Sequence, residues 1–556
     1  MWIELSAPPE KNFVPGHHTC VPRVSRLAGT FLLSVVLLSS QVWASDYYVS
    51  STGNDTQSGS ATAPWRTVAR VNQQNYYPGD RILFQGGANF SGNLTFTAAS
   101  KGTPSAPITV TSWGSGRARI LAGTGIGFYA YNTAGYLIQS INFVGSGVAS
   151  STQSGISFYT DLSGNVKLDT VTVDQVEVSG FYGYGVIFGA WSGATGFTNI
   201  TLTRVNTHDN GYGGITTYGP QDPNNVWYPH QNIYVGHCIA YNNRGIAGLS
   251  GSSGSGIVIG AASGVTIERS QAYGNGSNNT SSTGPFAIWT YDSTRVVVQY
   301  NEAHHNHTAG TADGGGFDVD GGVSNSIFQY NYSHDNDGPG ILVAQYTGAR
   351  PQTNNVVRYN ISQNDARRNG LGAITVFDTV GSLSGEEIFN NTVFLSGAAQ
   401  VPSAVQIVGS PRQVHLRNNI LFTSGGALTM RLAPNLIGIL FQGNDYWNGG
   451  APLSISWGNA SWSSVNSWSQ ATGQEMLNGS SIGLSVAPHL TAPGGGGTIG
   501  NSDQLNLLSA YQLVNTSPLI YKGLDLTNVG LAFGPVDFYG IALPQPLGYS
   551  IGAAEF

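Results

Sequence analysis

Val296-Val-Val-Gln-Tyr-Asn-Glu-Ala-His-His-Asn306 returns in altered form as Ser326-Ile-Phe-Gln-Tyr-Asn-Tyr-Ser-His-Asp-Asn336, and again as Asn355-Val-Val-Arg-Tyr-Asn-Ile-Ser-Gln-Asn364. The inner asparagine recurs at intervals of 30, 29, 31, 28 and 25 residues, at Asn301, Asn331, Asn360, Asn391, Asn419 and Asn444. Weaker copies lie upstream at residues 171–180, 200–210, 233–243 and 265–275. This period predicts a solenoid whose coils bury their apolar faces on one another, with the asparagines hydrogen-bonded along the stack.

The composition favours an all-β chain. Of the 556 residues, 76 are glycine and only 9% are charged, which is typical of a turn-rich β protein and not of a helical one. A net charge of −7 argues against nucleic acid or an anionic membrane as a partner. Cys20 and Cys238 are the two cysteines, so no disulfide is expected once the N-terminus is processed, and Cys238 is predicted to be buried.

The N-terminus has the pattern of an export signal. Arg23 and Arg26 precede an apolar run at residues 27–38, and Val42-Trp43-Ala44 has the small residues of a cleavage site. We therefore expect a signal peptide at residues 1–44 and a monomeric bacterial protein that is secreted or periplasmic. The apolar run is too short for a membrane span.

The mature chain then opens with Asp46-Tyr-Tyr-Val-Ser-Ser-Thr-Gly-Asn-Asp55, Ala63-Pro-Trp-Arg-Thr67 and Tyr77-Pro-Gly-Asp-Arg-Ile-Leu-Phe84. This region resembles the start of secreted right-handed parallel β-helix proteins, which include pectate-lyase-like polysaccharide lyases and several glycoside hydrolase families. The resemblance implies an all-β, right-handed parallel β-helix solenoid. It also implies an N-terminal strand and capping region at 45–106, with a helix at about 67–74, and a C-terminal cap at 450–556. The repeat predicts the coils at 107–449, and an amphipathic pattern predicts a helix at about 465–476.

The stretch Thr311-Ala-Asp-Gly-Gly-Gly-Phe-Asp-Val-Asp-Gly-Gly322 concentrates acidic residues in a chain that has few of them. The alternation in Phe-Asp-Val-Asp predicts a strand with Asp318 and Asp320 on one face, roughly 6.5–7 Å apart. Two carboxyl groups at this spacing suit acid/base cleavage of a glycosidic bond, or a cation site.

Neighbouring coils add candidate substrate-binding residues. Trp289 and Tyr291 precede the aspartate strand by one coil, and Gln345 and Tyr346 follow it by one. Aromatic rings beside carboxyl groups are common in sugar sites, because the C–H face of a pyranose packs on a ring. The alternative for Trp289 is a packing role under a loop.

A second set of candidates ends the same repeats. His304 and His334 share one repeat position, and they are expected at the edge of the groove with Glu302, Asp335 and Asp337. They would bind sugar hydroxyls or act as an acid. The alternative is a structural ladder of satisfied imidazoles, which His208 in an earlier coil supports.

The aspartate strand also resembles the catalytic strand of β-helix glycoside hydrolases such as the lacto-N-biosidase-type family 136, in which two nearby aspartates act as acid/base and nucleophile. The resemblance implies that Asp313, Asp318 and Asp320 are catalytic, without assigning a role to each. Polygalacturonases place aspartates after an Asn-Thr-Asp-Gly motif, which Thr311-Ala-Asp-Gly matches in part. No cofactor is required by this chemistry.

Three functions stay open at this stage. A glycoside hydrolase acting on a polysaccharide or oligosaccharide fits the aspartates best. A calcium-assisted pectate-lyase-like enzyme is the alternative; it would use Asp318, Asp320, Asp335 and Asp337 as calcium ligands and one of Arg295, Arg367 and Arg368 as the base. The third is a non-catalytic glycan-binding surface protein. The shortage of basic residues favours a neutral or acetamido sugar.

Overall fold

The computed structural model describes residues 44–556, which form a stack of coils with one strand per coil in each of three sheets. The predicted signal peptide lies, apart from Ala44, outside the described residues. In a typical coil the strand Phe286–Tyr291 is followed by Thr294–Gln299 and then by Glu302–His304. Each strand pairs in parallel with its counterparts in the coils before and after it, so the chain is a right-handed parallel β-helix, as predicted.

We number the sheets 1 to 3. The strands of sheet 1 are Asp46–Val49, Arg81–Gln85, Ile108–Trp113, Tyr136–Gln139, Lys167–Asp174, Gly196–Thr203, His230–Gly236, Ala262–Glu268, Thr294–Gln299, Ile327–Gln329, Val356–Arg358, Leu383–Phe389, Arg412–Arg417 and Ile437–Gln442, with Gln352–Thr353 added beside Leu383–Phe389. The strands of sheet 2 are Leu94–Phe96, Phe128–Tyr131, Ile156–Thr160, Tyr184–Ala190, Gly213–Tyr218, Ser255–Gly260, Phe286–Tyr291, Gly315–Val319, Ile341–Gln345, Gly372–Asp378, Ser403–Gly409, Leu428–Leu432, Ile455–Trp457 and Ala460–Trp462. The strands of sheet 3 are Asn89–Ser91, Ala118–Gly123, Ile141–Gly145, Glu177–Ser179, Asn206–His208, Ile239–Tyr241, Gln271–Tyr273, Glu302–His304, Tyr332–His334, Ile361–Gln363, Thr392–Leu395, Ile420–Thr423 and Asp445–Trp447.

The core is made by inward residues that stack from coil to coil. In sheet 2 the register aligns Ile257, Ile288, Phe317, Ile341 and Ile374, and each is at most 2% exposed. Burying each such side chain stabilises the fold by roughly 1.5–3 kcal/mol. The alternation of strand residues therefore sends the intervening side chains outward, where a site can form.

Two buried asparagine ladders hold successive coils in register. In the first, Asn331 Nδ2 donates to Asn360 Oδ1 at 3.0 Å and to the Val298 carbonyl at 2.9 Å, and Asn301 repeats the pattern one coil earlier. This ladder contains all six asparagines of the predicted stack. The second ladder lies in the turn that follows the sheet 3 strand of each coil, and it consists of Asn210, Asn243, Asn275, Asn306 and Asn336.

Helices close both ends of the stack. Helix Val68–Val71 begins after Thr67, whose side chain accepts from the Arg70 N–H. Helix Val465–Thr472 ends at Gly473, whose positive φ of 74° breaks the helix, and its Trp468 packs against Phe441 and Tyr446. Both helices are shorter than predicted. No helix within residues 44–556 is long and apolar enough to span a bilayer.

The C-terminal segment beyond this helix packs back along the solenoid. It carries the short strands Met476–Leu477 and Ser480–Ser481 and the 3-10 helices Ser502–Leu507, Ser509–Tyr511 and Leu526–Val529. Gly496 and Ile499 contact side chains of sheet 3, and the remainder buries a second apolar cluster there. Parallel pairing also extends past the predicted coil boundaries at residues 107 and 449, from Asp46–Val49 to Ile455–Trp457.

Candidate active site

A cavity of about 430 Å³ opens on the outer face of sheet 2, over the aspartate strand. In the strand Gly315–Val319, Phe317 and Val319 point into the core and are at most 1% exposed. Asp318 and the residue directly after the strand, Asp320, line the cavity. The strand alternation therefore places the carboxyl groups as predicted. The cavity brings together Asp313, Asp318, Asp320, Trp289, Gln345 and Tyr346 of the predicted site residues.

Register determines the immediate neighbours of Asp318. Asp318 pairs with Trp289 in the preceding coil and with Leu342 in the following coil. Thr375 and Gln406 continue the same row through the next two coils. All five side chains line the cavity. An aromatic and an aliphatic side chain thus flank the central carboxyl group and reduce its contact with water.

The Asp318 carboxyl group is held in an unusual state for an aspartate. Asp318 is only 4% exposed, and its Oδ1 has no hydrogen-bond partner within the described part of the chain. Burial, followed by repulsion from Asp320 and Asp313, raises its pKa well above the usual value. Burial and the two neighbouring carboxyl groups therefore both favour the protonated form of Asp318.

Asp320 and Asp313 are perturbed less. Burial is the largest cause of the raised pKa of both, to about 7 for Asp320 and to about 6 for Asp313. Asp313 Oδ2 accepts a 2.7 Å hydrogen bond from the Gly284 N–H, which stabilises its ionised form. A Cβ at Gly284 would lie 2.4 Å from the Asp313 Cβ, so only glycine allows this approach. All three carboxyl groups thus have pKa values above the usual range of an aspartate, which suits acid/base catalysis.

Apolar rings form the remaining wall of the cavity. Trp289 is 7% exposed, and its Nε1 donates to Ser255 Oγ at 3.1 Å, which fixes the indole plane. Phe286 and Phe377 line the cavity beside it. A wall of this kind suits the apolar face of a sugar ring.

Tyr291, expected to bind substrate, instead lies flat over Gly260 of the preceding coil. A Cβ at Gly260 would lie 2.1 Å from the Tyr291 ring, and the Tyr291 hydroxyl donates to the Thr217 carbonyl at 3.4 Å. The ring is 4% exposed and supports Trp289 at a centroid distance of 5.5 Å. The residue points outward as predicted, but the glycine allows it to fold back and out of the cavity.

Gln345 and Tyr346 reach the cavity from the following coil. The Gln345 amide nitrogen is already used, donating to the Arg350 carbonyl at 2.7 Å and to Ser382 Oγ at 2.8 Å. The Tyr346 ring lies against Gly321, beside the end of the aspartate strand. Gln345 therefore has a structural role, and Tyr346 is the better placed of the two to contact a ligand.

The structure separates the histidine set from the aspartates, contrary to the expectation that the two share one groove. Glu302, His304 and His334 belong to sheet 3, and none of the set lines the cavity. The rings of His304 and His334 stack at 4.9 Å within a ladder that extends through Tyr273 to earlier coils. These residues follow a turn in their coil, so their side chains point from a different face of the solenoid.

The hydrogen bonds of the histidine set indicate a structural role. Glu302 accepts from the Ile499 and Gly500 N–H groups at 2.6 and 2.8 Å and so attaches the C-terminal segment. Burial opposes protonation of His334, but its bonds to Asp335 and Glu302 raise its pKa. Burial lowers the pKa of His304 to about 4. The ladder alternative is thus the one that the geometry favours.

The predicted calcium ligands fall into two separate groups. Asp318 and Asp320 line the cavity, whereas Asp335 contacts His334 and Asp337 accepts from the Thr308 N–H at 3.1 Å. Across residues 44–556 no cluster of three or more His, Cys, Asp or Glu side chains has the spacing of a metal site. The four-aspartate set is therefore not assembled.

Sequence reasoning missed several cavity residues. Thr375 and Gln406 could have been found by extending the row of Asp318 by two coils, because the repeat provides the register. Ser252 and Thr283 come from loops between coils, for which the sequence offers no comparable signal.

No protein-family model matches the chain. The lacto-N-biosidase of Bifidobacterium longum is 25% identical over 452 residues, a match that covers 64% of this chain and 28% of that protein. The chain thus spans less than a third of the length of this curated relative.

Among solved structures, the GH136 lacto-N-biosidase of Eubacterium ramulus is 16% identical, with 65% of each chain covered and a TM-score of 0.46. XylC, solved with xylose, is 10% identical, with 91% of this chain and 98% of that chain covered and a TM-score of 0.46. Pectate lyase Pel9A is 15% identical, with 92% and 96% covered and a TM-score of 0.36. The chain is therefore similar in sequence to a lacto-N-biosidase, in keeping with the predicted resemblance.

Proposed function

We propose that this protein is an exported glycoside hydrolase that cleaves an oligosaccharide or polysaccharide in the cavity over sheet 2. The observation that carries the proposal is the presence of three aspartates with raised pKa values in one cavity that also has a tryptophan wall. The sequence similarity to a lacto-N-biosidase supports the same reaction class.

The chemistry divides between a proton donor and an ionised partner. The pKa of Asp318 is raised well above its usual value, which suits this carboxyl group to protonate the leaving oxygen of the glycosidic bond. Asp313 and Asp320 ionise first, so one of them attacks the anomeric carbon or activates water. Burial raises the pKa of each carboxyl group to a different extent, so one group can act as the proton donor while a neighbour in the same cavity is ionised.

The residues of the cavity argue against elimination. A lyase needs a base of Lys or Arg type and a cationic groove, yet no Lys or Arg is among the described residues that line the cavity. Arg295 donates to Ser263 on sheet 1, and Arg367 donates to the Ser396 and Gly397 carbonyls. A hydrolase therefore accounts for more of the site than a lyase does.

The test is incubation with neutral and uronate polysaccharides and oligosaccharides, with and without a calcium chelator, while reducing ends and ultraviolet absorbance are read together. We expect new reducing ends without absorbance. Chelator-sensitive absorbance would mean a lyase, and no product from any member would favour a glycan-binding protein.

Variants then assign the roles. Asp313→Asn, Asp318→Asn and Asp320→Asn should each lower kcat by about 10²- to 10⁴-fold. Asp335→Asn is the matched control, because it comes from the same segment but lies outside the cavity. An aryl glycoside with a good leaving group should restore turnover only to the acid variant. Azide should rescue the variant of the ionised partner by direct displacement, giving a glycosyl azide of inverted configuration.

The pH profile supplies a further check. kcat/KM should rise as the ionised partner loses its proton at pH values near 6 to 7 and should fall at higher pH as Asp318 deprotonates. A profile with its rising limb near pH 4 would show that the carboxyl groups are hydrated as usual and would contradict the assignment.

A further inference from the structure

A group of partly exposed aromatic residues lies on the outer face of sheet 2, on the N-terminal side of the cavity. We call it the aromatic shelf, and it consists of Tyr129, Tyr131, Tyr159, Trp191 and Tyr218. Trp191 is 53% exposed, although it is a large apolar residue. An exposed cluster of this kind on a single sheet face indicates a binding surface.

The shelf is continuous with the rows of the cavity. Tyr131 pairs with Tyr159, Tyr159 with Gly189 and Gly189 with Tyr218, in the row that reaches Tyr291 two strands later. At ~4.8 Å per strand, Tyr218 lies ~14 Å from the aspartate strand and Tyr131 ~29 Å. A ligand that passes from the cavity onto the shelf must therefore be a chain of several sugars.

Glycine allows the rings to lie down on this face. A Cβ at Gly189 would lie 2.4 Å from the Tyr218 ring, so that ring lies over the preceding coil and approaches Trp191 at 6.1 Å. Tyr291 uses Gly260 in the same way beside the cavity. The rings thus cover the sheet between the shelf and the cavity.

The polar groups of the shelf accept and donate hydrogen bonds without positive charge. Asp161 accepts from the Tyr131 hydroxyl at 2.8 and 2.9 Å and from Asn132 Nδ2 at 2.9 Å. Tyr129, Tyr159 and Tyr218 are each partly exposed on this face, so that their hydroxyl groups are available to a ligand. A neutral sugar chain can satisfy these groups, whereas a uronate chain would place its carboxylates beside Asp161.

We infer that the aromatic shelf is a distal glycan-binding site that holds the uncleaved part of a neutral oligosaccharide or polysaccharide extending from the cavity. This inference rests on the proposed hydrolase function for the identity of the bound chain. Sugar rings would stack on Trp191 and the tyrosines, and their hydroxyls would bind Asp161.

Binding is the test, because it does not need turnover. Affinity electrophoresis of the mature protein and of Asp318→Asn would use xylan, galactan, mannan and mixed-linkage glucan as neutral probes, with polygalacturonate and alginate as acidic ones. Trp191→Ala should weaken binding of a neutral probe about tenfold, the scale expected for truncation of an aromatic anchor. Tyr77→Ala is the control, since Tyr77 is 50% exposed but lies outside sheet 2.

Each outcome decides the inference. Loss of neutral binding in Trp191→Ala and in Tyr159→Ala, with the melting temperature unchanged, supports the shelf. Unchanged affinity of both variants, preference for acidic probes, or no binding to any neutral probe overturns it. If binding depends on Trp191 but no probe is hydrolysed, the shelf stands and the hydrolase proposal fails. If a probe is hydrolysed but its binding does not depend on Trp191, the hydrolase proposal stands and the shelf fails.

Discussion

Asp320→Asn should make the protein less active and more stable at the same pH. The wild-type carboxyl group has its pKa raised from 3.8 to about 7, mainly by burial. The folded state therefore holds a proton that the unfolded state releases as the pH rises above about 4. An asparagine has no proton to release, so the variant avoids this loss of stability.

The magnitude follows from the two pKa values. Folding stability falls as the pH rises from about 4, and the loss is complete above pH 7, where it amounts to on the order of 2–4 kcal/mol. At pH 8 the variant should then melt a few degrees higher than wild type. At pH 4 the difference should nearly disappear, because the carboxyl group is protonated in the folded state and still protonated in about half of the unfolded molecules.

Thermal melts at a fixed scan rate over pH 4 to 8 measure this, since large proteins often unfold irreversibly. Asp55→Asn is a control of opposite sign. Burial opposes ionisation of Asp55, but hydrogen bonds from Thr67 and Arg66 lower its pKa. That variant should be less stable at pH 8, and the difference should narrow in acid. A difference for Asp320→Asn that is equal at pH 4 and pH 8, or negative at pH 8, would refute the burial of this carboxyl group.

Four further predictions concern the wall of the cavity and the scaffold. Trp289→Ala should raise KM about tenfold with a smaller effect on kcat, as measured by steady-state kinetics, because the indole lines the cavity and is proposed to bind the sugar without taking part in proton transfer. Asn331→Ala should lower the free energy of unfolding by about 2–4 kcal/mol in a denaturant titration, since buried groups of the ladder lose their partners; an unchanged midpoint would contradict a buried ladder. Glu302→Ala should increase proteolysis near residues 493–498, because the C-terminal segment loses two hydrogen bonds to this side chain. The Cys238 thiol, whose pKa burial raises to about 12, should react with a thiol reagent only in denaturant.

The β-helix could be predicted because its cause is repeated along the chain. The coils share an inward apolar row, and from Asn210 to Asn444 a turn asparagine bonds to the next coil, so similar residues recur at a nearly constant interval. The aspartate strand was visible for a similar reason. Strand alternation is local, and Phe317 and Val319 allow only one face for Asp318 and Asp320.

The sequence by itself thus determined the coils, their register and the outward direction of the central carboxyl groups. Only the tertiary structure decided which outward side chains meet. Glu302 and His304 lie in the coil next to Asp318, yet a turn separates their strand from sheet 2, and the angle of that turn depends on packing in every coil at once. Tyr291 has the right alternation and still leaves the cavity, because a glycine in another coil gives its ring a place to lie. The physical reason is that alternation and hydrogen-bond register act between adjacent residues and strands, whereas a cavity depends on loops and rings from several coils.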